Sequence, residues 1–478
     1  MEIQKDYEGL EPGYYYFTAE VVNVGAYNCG VLYGRGSSQK ECTTTLPLTT
    51  GGVAEGSRKA VVRGIQVGSD GKARVGLHIK SCEPDSMGIQ HLQLFREADQ
   101  SAPYRFFKGG DISELSWLEA EGAVFYNADG KETDAVKLLA ANGWNIARLR
   151  VYDNPGKGRG NGSYYCKEGY MTLPDMLGLA KRAAALGMEL ELTIHYSDYW
   201  TNVDVQNPPA RWQMELAGLD EAQSLDRLCE LVYQYTCDVM KAMKAQGTVP
   251  RFVSIGNEIQ GGILYPYGHY TKWENLARLL SAGSRAVTDV CPDSRVIMHL
   301  DNAGQYDKYH NFFDNCEKYS VPYDIIGPSY YPFWFHKDVD TVVEFCNKMI
   351  ERYHKDIMIM ETGYNFSPVR PDGYPGQLEH NGPYPNDGDF YGSTPLGQKH
   401  FMEDLFNGLK TVGLGTGHGC LGDLYWDPVM VEQPGIGWAL KETDDQVDVN
   451  LVSNTTLFDF EHKLLPVMEA YRWNKEQS

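Results

Sequence analysis

No stretch of this chain approaches the roughly 18 consecutive apolar residues that a membrane-spanning helix needs. No Cys-x-x-Cys pair occurs either: the ten cysteines are scattered from Cys29 to Cys420, which argues against a zinc ribbon. Several stand in apolar helical stretches and read as small buried hydrophobes, so they leave the redox compartment open. Positive charge is scarce, with 43 Lys and Arg against 64 Asp and Glu and a formal net charge of −21. Nucleic acid is thereby excluded as a partner, because phosphates need a basic surface, and anionic membranes and acidic polysaccharides are disfavoured. No Gly-x-Gly-x-x-Gly follows a strand-like run, which makes a doubly wound sheet the weaker α/β alternative. The opening residues, from Met1 to Asp6, lack the hydrophobic region of an export signal. They leave either a cytoplasmic protein or one whose leader was removed.

What is present is a large apolar fraction, 42%, and many aromatics, including 32 Tyr and 9 Trp. Flat rings with polar edges suit sugar rings, and large cores use them too. A neutral partner is the simplest fit to the charge. At 478 residues the chain is long enough for two domains. Residues 1–104 hold short β-rich runs, Tyr14–Val22, Lys59–Val67, Ala73–Lys80 and Ile89–Phe95, joined by Gly-, Ser- and Asp-rich turns. Such runs predict an N-terminal β-sandwich, ending in a linker at Arg96–Pro103. Its tyrosines, Tyr14, Tyr15, Tyr16, Tyr27 and Tyr33, form either a carbohydrate-binding face or part of a structural core.

Residues 105–478 alternate helix and strand. Strands are predicted near Phe106–Ile112 and at Trp144–Val151, Met188–Ile194, Phe252 onward, Arg295–Leu300, Asp324–Ser329, Ile357–Met360 and Gly422–Trp426. Helices fall between them, among them Leu225–Ala245 with Ser224 as N-cap, and Glu461–Trp473 closes the chain. Eight such units over about 370 residues predict an α/β fold, a (β/α)8 TIM barrel with long loops.

Chemistry concentrates at the strand ends, where such a barrel presents its functional groups. Glu258 ends Phe252-Val-Ser-Ile-Gly-Asn-Glu258, and Glu361 ends Ile357-Met-Ile-Met-Glu361. Two carboxyls so placed suit glycosidic-bond hydrolysis, one protonating the leaving oxygen and the other attacking the sugar carbon. Arg148 and Arg150 share a face of the second strand, and Arg148 is the group to hold Glu361 ionised. His195, Asp198 and Trp200 follow the third strand, Asn257 the fourth, His299 and Asp301 the fifth, Tyr330 and Tyr331 the sixth, and Trp426 the eighth. Together they read as a sugar-binding mouth. His195 and His299 with Asp198 and Asp301 are alternatively metal ligands, although no tight His pair on one strand supports this. Asp387 and Asp389, in the loop after the seventh strand, offer calcium-type oxygens or an ordinary turn.

The stretch from about Gly109 to Trp473 resembles glycoside hydrolase family 53, the arabinogalactan endo-β-1,4-galactanases of clan A. The residues that carry the likeness are Arg148–Val151 with Asn154-Pro155, His195–Asp198 with Trp200, Ser254–Ile259, His299–Asp301, Ser329–Phe333, Glu361-Thr362 and Tyr425-Trp426. Pro328 and Asp427 depart from the pattern, where an apolar residue and Glu are common. The resemblance implies retaining, endo-acting hydrolysis of β-1,4-galactan by a monomer that needs no cofactor. It makes Glu258 the acid/base, Glu361 the nucleophile and Asn257 the ligand of the sugar 2-hydroxyl. It also implies a secreted, periplasmic or cell-surface location, and in some relatives a structural calcium in the loop after strand seven. Another neutral-glycan hydrolase of the clan, or a non-catalytic glycan-binding protein, stays open as the alternative.

Overall fold

The computed structural model describes residues 2–23, 30–47, 56–79, 87–335, 337–376, 391–444 and 446–475. Asp387, Asp389, Tyr27, Cys29 and Cys82 lie outside the described residues. The first unit contains seven strands: β1 (Glu2–Tyr7), β2 (Gly13–Asn23), β3 (Gly30–Arg35), β4 (Glu41–Thr45), β5 (Arg58–Val67), β6 (Ala73–Ile79) and β7 (Met87–Arg96). They form two antiparallel sheets, ordered β1-β6-β3-β4 and β5-β2-β7. Alternation turns Phe17, Leu32, Val62, Ile65 and Leu77 into one apolar layer between the sheets. Tyr15, Tyr16 and Tyr33 are buried, so these three belong to the packing of the unit and not to an open face.

The second unit is a closed barrel of parallel strands: β8 (Phe107–Asp111), β9 (Ile146–Val151), β10 (Glu189–Ile194), β11 (Phe252–Ile255), β12 (Arg295–Leu300), β13 (Ile325–Tyr330), β14 (Asp356–Thr362) and β15 (Cys420–Tyr425). Each is followed by a helix packed outside: α1 (Ala135–Ala141), α2 (Leu173–Ala184), α3 (Glu221–Gln246), α4 (Trp273–Val290), α5 (Tyr306–Lys318), α6 (Val339–Tyr353), α7 (Pro395–Lys410) and α8 (Met468–Trp473). Two helix expectations are corrected. α3 begins before Leu225: Asp220 accepts from Gln223 N–H at 2.8 Å and the Gln223 side chain accepts from Asp220 N–H at 3.1 Å, a capping box that leaves Ser224 buried inside the helix. The last helix starts at Met468 and not Glu461, because Asp459 accepts from the N–H groups of Glu461 and Lys463 and holds a turn there.

The sandwich docks on α6 and α7. Arg58 bridges Asp340 at 2.9 Å and Asp404 at 3.3 Å, and the Thr44 hydroxyl donates to Asn407 at 2.7 Å. Even Lys399, Glu403, Asp404, Asn407 and Lys410 of α7 are buried, so the helix has no wide solvent face. The eight cysteines among the described residues are free thiols, seven of them buried. No helix among the described residues is long and apolar enough to cross a membrane.

Candidate active site

Near the strand starts, the barrel interior is apolar, filled by Phe107, Ile146, Phe252, Ile297, Ile325, Met358, Met360 and Leu424. Toward the carboxyl ends it becomes ionic. Arg148 is fully buried and makes four kinds of contact. Nη1 donates to the Met360 carbonyl at 2.8 Å and to Glu361 Oε1 at 3.0 Å, Nη2 to Asn257 Oδ1 at 2.8 Å, and Nε to the Thr193 hydroxyl at 3.2 Å. Asp111 and Glu191 stand 3.4 and 3.7 Å from the same guanidinium. Arg150 pairs with Asp111 at 3.1 Å, with Asp427 at 3.2 Å and with Glu114. Two guanidiniums cannot neutralise this many buried carboxylates, so some of the acids retain protons. Burial pushes both Glu191 and Asp427 up to about 7.

Glu258 follows β11 in a left-handed conformation, φ 47°, that a side chain adopts at a cost. This turns the carboxyl back over the barrel, where Ser329 Oγ donates to Oε1 at 3.0 Å. His299 Nε2 lies 2.8 Å from the same Ser329 oxygen. With the serine proton directed at Glu258, the imidazole carries its proton on Nε2 and donates to Ser329. Glu361 is reached from the other side, since its Oε2 accepts from the Tyr331 hydroxyl at 3.1 Å. One oxygen of Glu258 and one of Glu361 lie within 4.8 Å of each other, with a His299 nitrogen equally near. This is the close spacing of a nucleophile and its acid, not the wider gap that admits a water.

The two carboxyls differ in electrostatics. Burial first, then the negative charges of Glu361 and Asp301, drive Glu258 well above the usual carboxylate range. Burial raises Glu361 too, but Arg148 and the Tyr331 hydroxyl oppose it. Glu258 therefore holds the proton and Glu361 the charge. Burial and Arg148 keep His299 neutral, and burial with the two arginines does the same for His195. Glu258, His299 and Glu361 form the one cluster among the described residues with metal-ligand composition. Arg148 already supplies positive charge to Glu361 there, so the donor set fits a proton-transfer pair better than a cation.

The structure brings Glu258, Glu361, Asn257, Arg148, His195, His299, Tyr331 and Trp426 to one mouth. Asn257 is oriented by Arg148 and by its own donation to the Thr201 carbonyl at 2.8 Å. His195 Nδ1 accepts from Thr201 N–H at 3.1 Å, which leaves a protonated Nε2, buried and without a hydrogen-bond partner among the described residues, for a ligand. Trp426 lies against both arginines, 4.5 Å from Arg150 and 5.5 Å from Arg148. Trp200, Trp438 and Tyr164 continue this wall, Trp200 packing at 6.4 Å on Trp426 and at 5.7 Å on Trp438. Four expected contacts lie elsewhere. Tyr330 points outward, its hydroxyl donating to the Lys337 carbonyl and its ring against Phe401. Asp198 accepts from the N–H groups of Asn154 and Ala210 and fixes two loops. Asp301 is paired with Lys308. Arg150 is sealed among Asp111, Glu114 and Asp427. Asp198 and Asp301, so committed, are not the acid partners of a metal site with His195 and His299.

Glu191, Thr193 and Trp438 were not singled out in the sequence, and Asp111, Ser254 and Ser329 stood there only as strand-end or motif residues without a role of their own. Strand alternation would have found Glu191 and Thr193, which share a face with His195.

The profile of glycosyl hydrolase family 53 matches residues 107–471. An endo-beta-1,4-galactanase of Bacillus subtilis (strain 168) is 29% identical over 394 residues, 77% of this chain and 86% of that protein. An arabinogalactan endo-beta-1,4-galactanase A of Emericella nidulans is 31% identical over 340 residues, 69% of this chain and 87% of that one. Among solved structures, the Ignisphaera aggregans GH53 catalytic domain superposes with a TM-score of 0.68 at 32% identity, covering 79% of this chain and 98% of its own.

Proposed function

Because the chain belongs to glycosyl hydrolase family 53, we propose that it is an endo-β-1,4-galactanase whose acid/base is Glu258 and whose nucleophile is Glu361. The observation that carries the roles is the carboxyl pair within 4.8 Å, one member held by Arg148 and Tyr331 and the other by Ser329. Glu361 attacks the anomeric carbon as Glu258 passes its proton to the leaving oxygen. Bond formation removes the charge of Glu361, and with it one cause of the high Glu258 pKa. Glu258 then ionises at neutral pH and takes a proton from the water that hydrolyses the glycosyl–enzyme. The Ser329–His299 pair orients Glu258 throughout. The second N–H of the Asn257 amide is directed to the sugar 2-hydroxyl, and Trp426 supplies the flat face beneath the ring. The strongly acidic surface suits a neutral polymer. A polymeric substrate fits work outside the cytoplasm, at the cell surface or beyond it.

The test is product size against time on linear β-1,4-galactan. Early mixed oligosaccharides, first released as the β-anomer by proton NMR, are expected from wild type and not from Glu361→Gln. An unchanged polymer with wild type, or release of the α-anomer first, sinks the assignment.

A further inference from the structure

Glu191 is buried in the barrel, and it meets the site through Arg148, whose Nε stands 3.7 Å from its Oε2. The Ser254 hydroxyl donates to its Oε1 at 2.8 Å, and the Thr193 hydroxyl donates to the same carboxylate at 3.0–3.1 Å. Strand register brings these groups together: Glu191 is level with Arg148 on β9, and Thr193 with Ser254 on β11. Arg148 from β9 and Asp111 from β8 are the charged or titratable groups that face this carboxyl, and Glu361 from β14 lies across the Arg148 guanidinium. A carboxyl in such a place costs stability, so its contacts need a compensating use.

Hydrogen-bond direction supplies one. Arg148 Nε donates to Thr193 Oγ1, and that oxygen faces the guanidinium with a lone pair only while its proton points elsewhere. Glu191 is the acceptor that takes the proton. The roll of the guanidinium about its Nε edge then decides whether Nη1 meets Glu361 and Nη2 meets Asn257.

We propose that Glu191 is a positioning residue for the nucleophile: by orienting the Thr193 hydroxyl it fixes the roll of Arg148, and Arg148 in turn holds Glu361 ionised and Asn257 aimed at the sugar. This rests on the roles given above to Glu361 and Asn257. Three explanations of Glu191 differ in sign. If it acts only as a charge, removing it lowers the Glu361 pKa. If it only fills space, the pKa stays put. If it positions Arg148, removal raises the pKa, because the counterion of Glu361 is no longer held.

The experiment titrates the Glu361 carboxyl by 13C NMR on glutamate-labelled full-length protein, without substrate. The signal is assigned by its loss in Glu361→Gln. Glu191→Ala and Thr193→Val are expected to move the titration to higher pH. Glu191→Gln, whose amide oxygen still accepts from Thr193, is expected to stay near wild type. On galactan, kcat should fall about 10- to 100-fold in the first two variants with KM little changed, and the acid limb of kcat/KM should move up with the titration. Thr193→Val is nearly isosteric and serves if Glu191→Ala does not fold. A titration that is unmoved, or moves down, overturns the inference, as does a lower Tm with an unchanged pH profile. Inactivity of wild type on galactan would instead overturn the substrate, and the titration would still decide the role of Glu191.

Discussion

Ile146, Arg148 and Arg150 succeed one another on the inner face of β9, and in that distance the barrel interior passes from hydrocarbon to buried ion network. The lower layer, Phe107, Ile146, Phe252, Ile297 and Met358, is held by burial of apolar surface and is insensitive to pH. The upper layer spends that stability. It buries two arginines among five carboxyls, Asp111, Glu114, Glu191, Glu361 and Asp427, with half-buried Glu258 beside them, where well-packed hydrophobic residues would serve the fold as well or better. The groups that would do the chemistry therefore sit where they cost the fold stability.

Substitutions separate the layers. Glu361→Gln is expected to lower kcat on galactan by at least ~10⁴-fold while oligosaccharide binding by calorimetry persists, since a nucleophile is lost and a similar shape kept. Substantial residual turnover would remove Glu361 from its role. Arg148→Met leaves Asp111, Glu191 and Glu361 without their shared cation, and should cost about 3–5 kcal/mol in urea unfolding together with nearly all activity. Met358→Ala, in the lower layer, should cost about 2–5 kcal/mol with a wild-type pH–rate profile at 25 °C. A shifted pH profile in Met358→Ala would dissolve the distinction between the layers.

Legibility in the sequence followed the same division. The eight barrel strands were readable because apolar runs and Gly- or Pro-marked helix ends repeat in order. Glu258, Glu361 and Arg148 were readable because each ends or lines such a run. Ser254 and Ser329 as network members, and the pairing of Glu191 with Arg148, were not, because these depend on which residue of one strand lies beside which residue of the next. Tyr330 shows a different failure. Ser329 and Tyr331 face the barrel, so alternation along β13 already sent Tyr330 outward, and the run of aromatics concealed the period. Asp198 had the right chemistry for a sugar ligand, but two backbone N–H groups use it to close loops.

The smallest expected effect bears most directly on the comparison. Glu258 has a folded-state pKa raised above its unfolded value, chiefly by burial. Such a carboxyl favours the folded state only while protonated in both states. Its contribution is fully present below about pH 4.3, the ordinary glutamate value, and is lost as pH rises through the folded pKa. Activity follows the same proton, so the basic limb of kcat/KM marks the loss of Glu258 as acid. Glu258→Gln keeps the shape, removes the titration and still accepts from Ser329. Thermal unfolding should therefore show a higher Tm for Glu258→Gln than for wild type at pH 8, with the difference shrinking toward pH 4, while galactan hydrolysis is lost at both. Equal Tm values at pH 8 would mean that the upper layer accommodates its charges at no cost, and the contrast with the lower layer would then be one of chemistry alone.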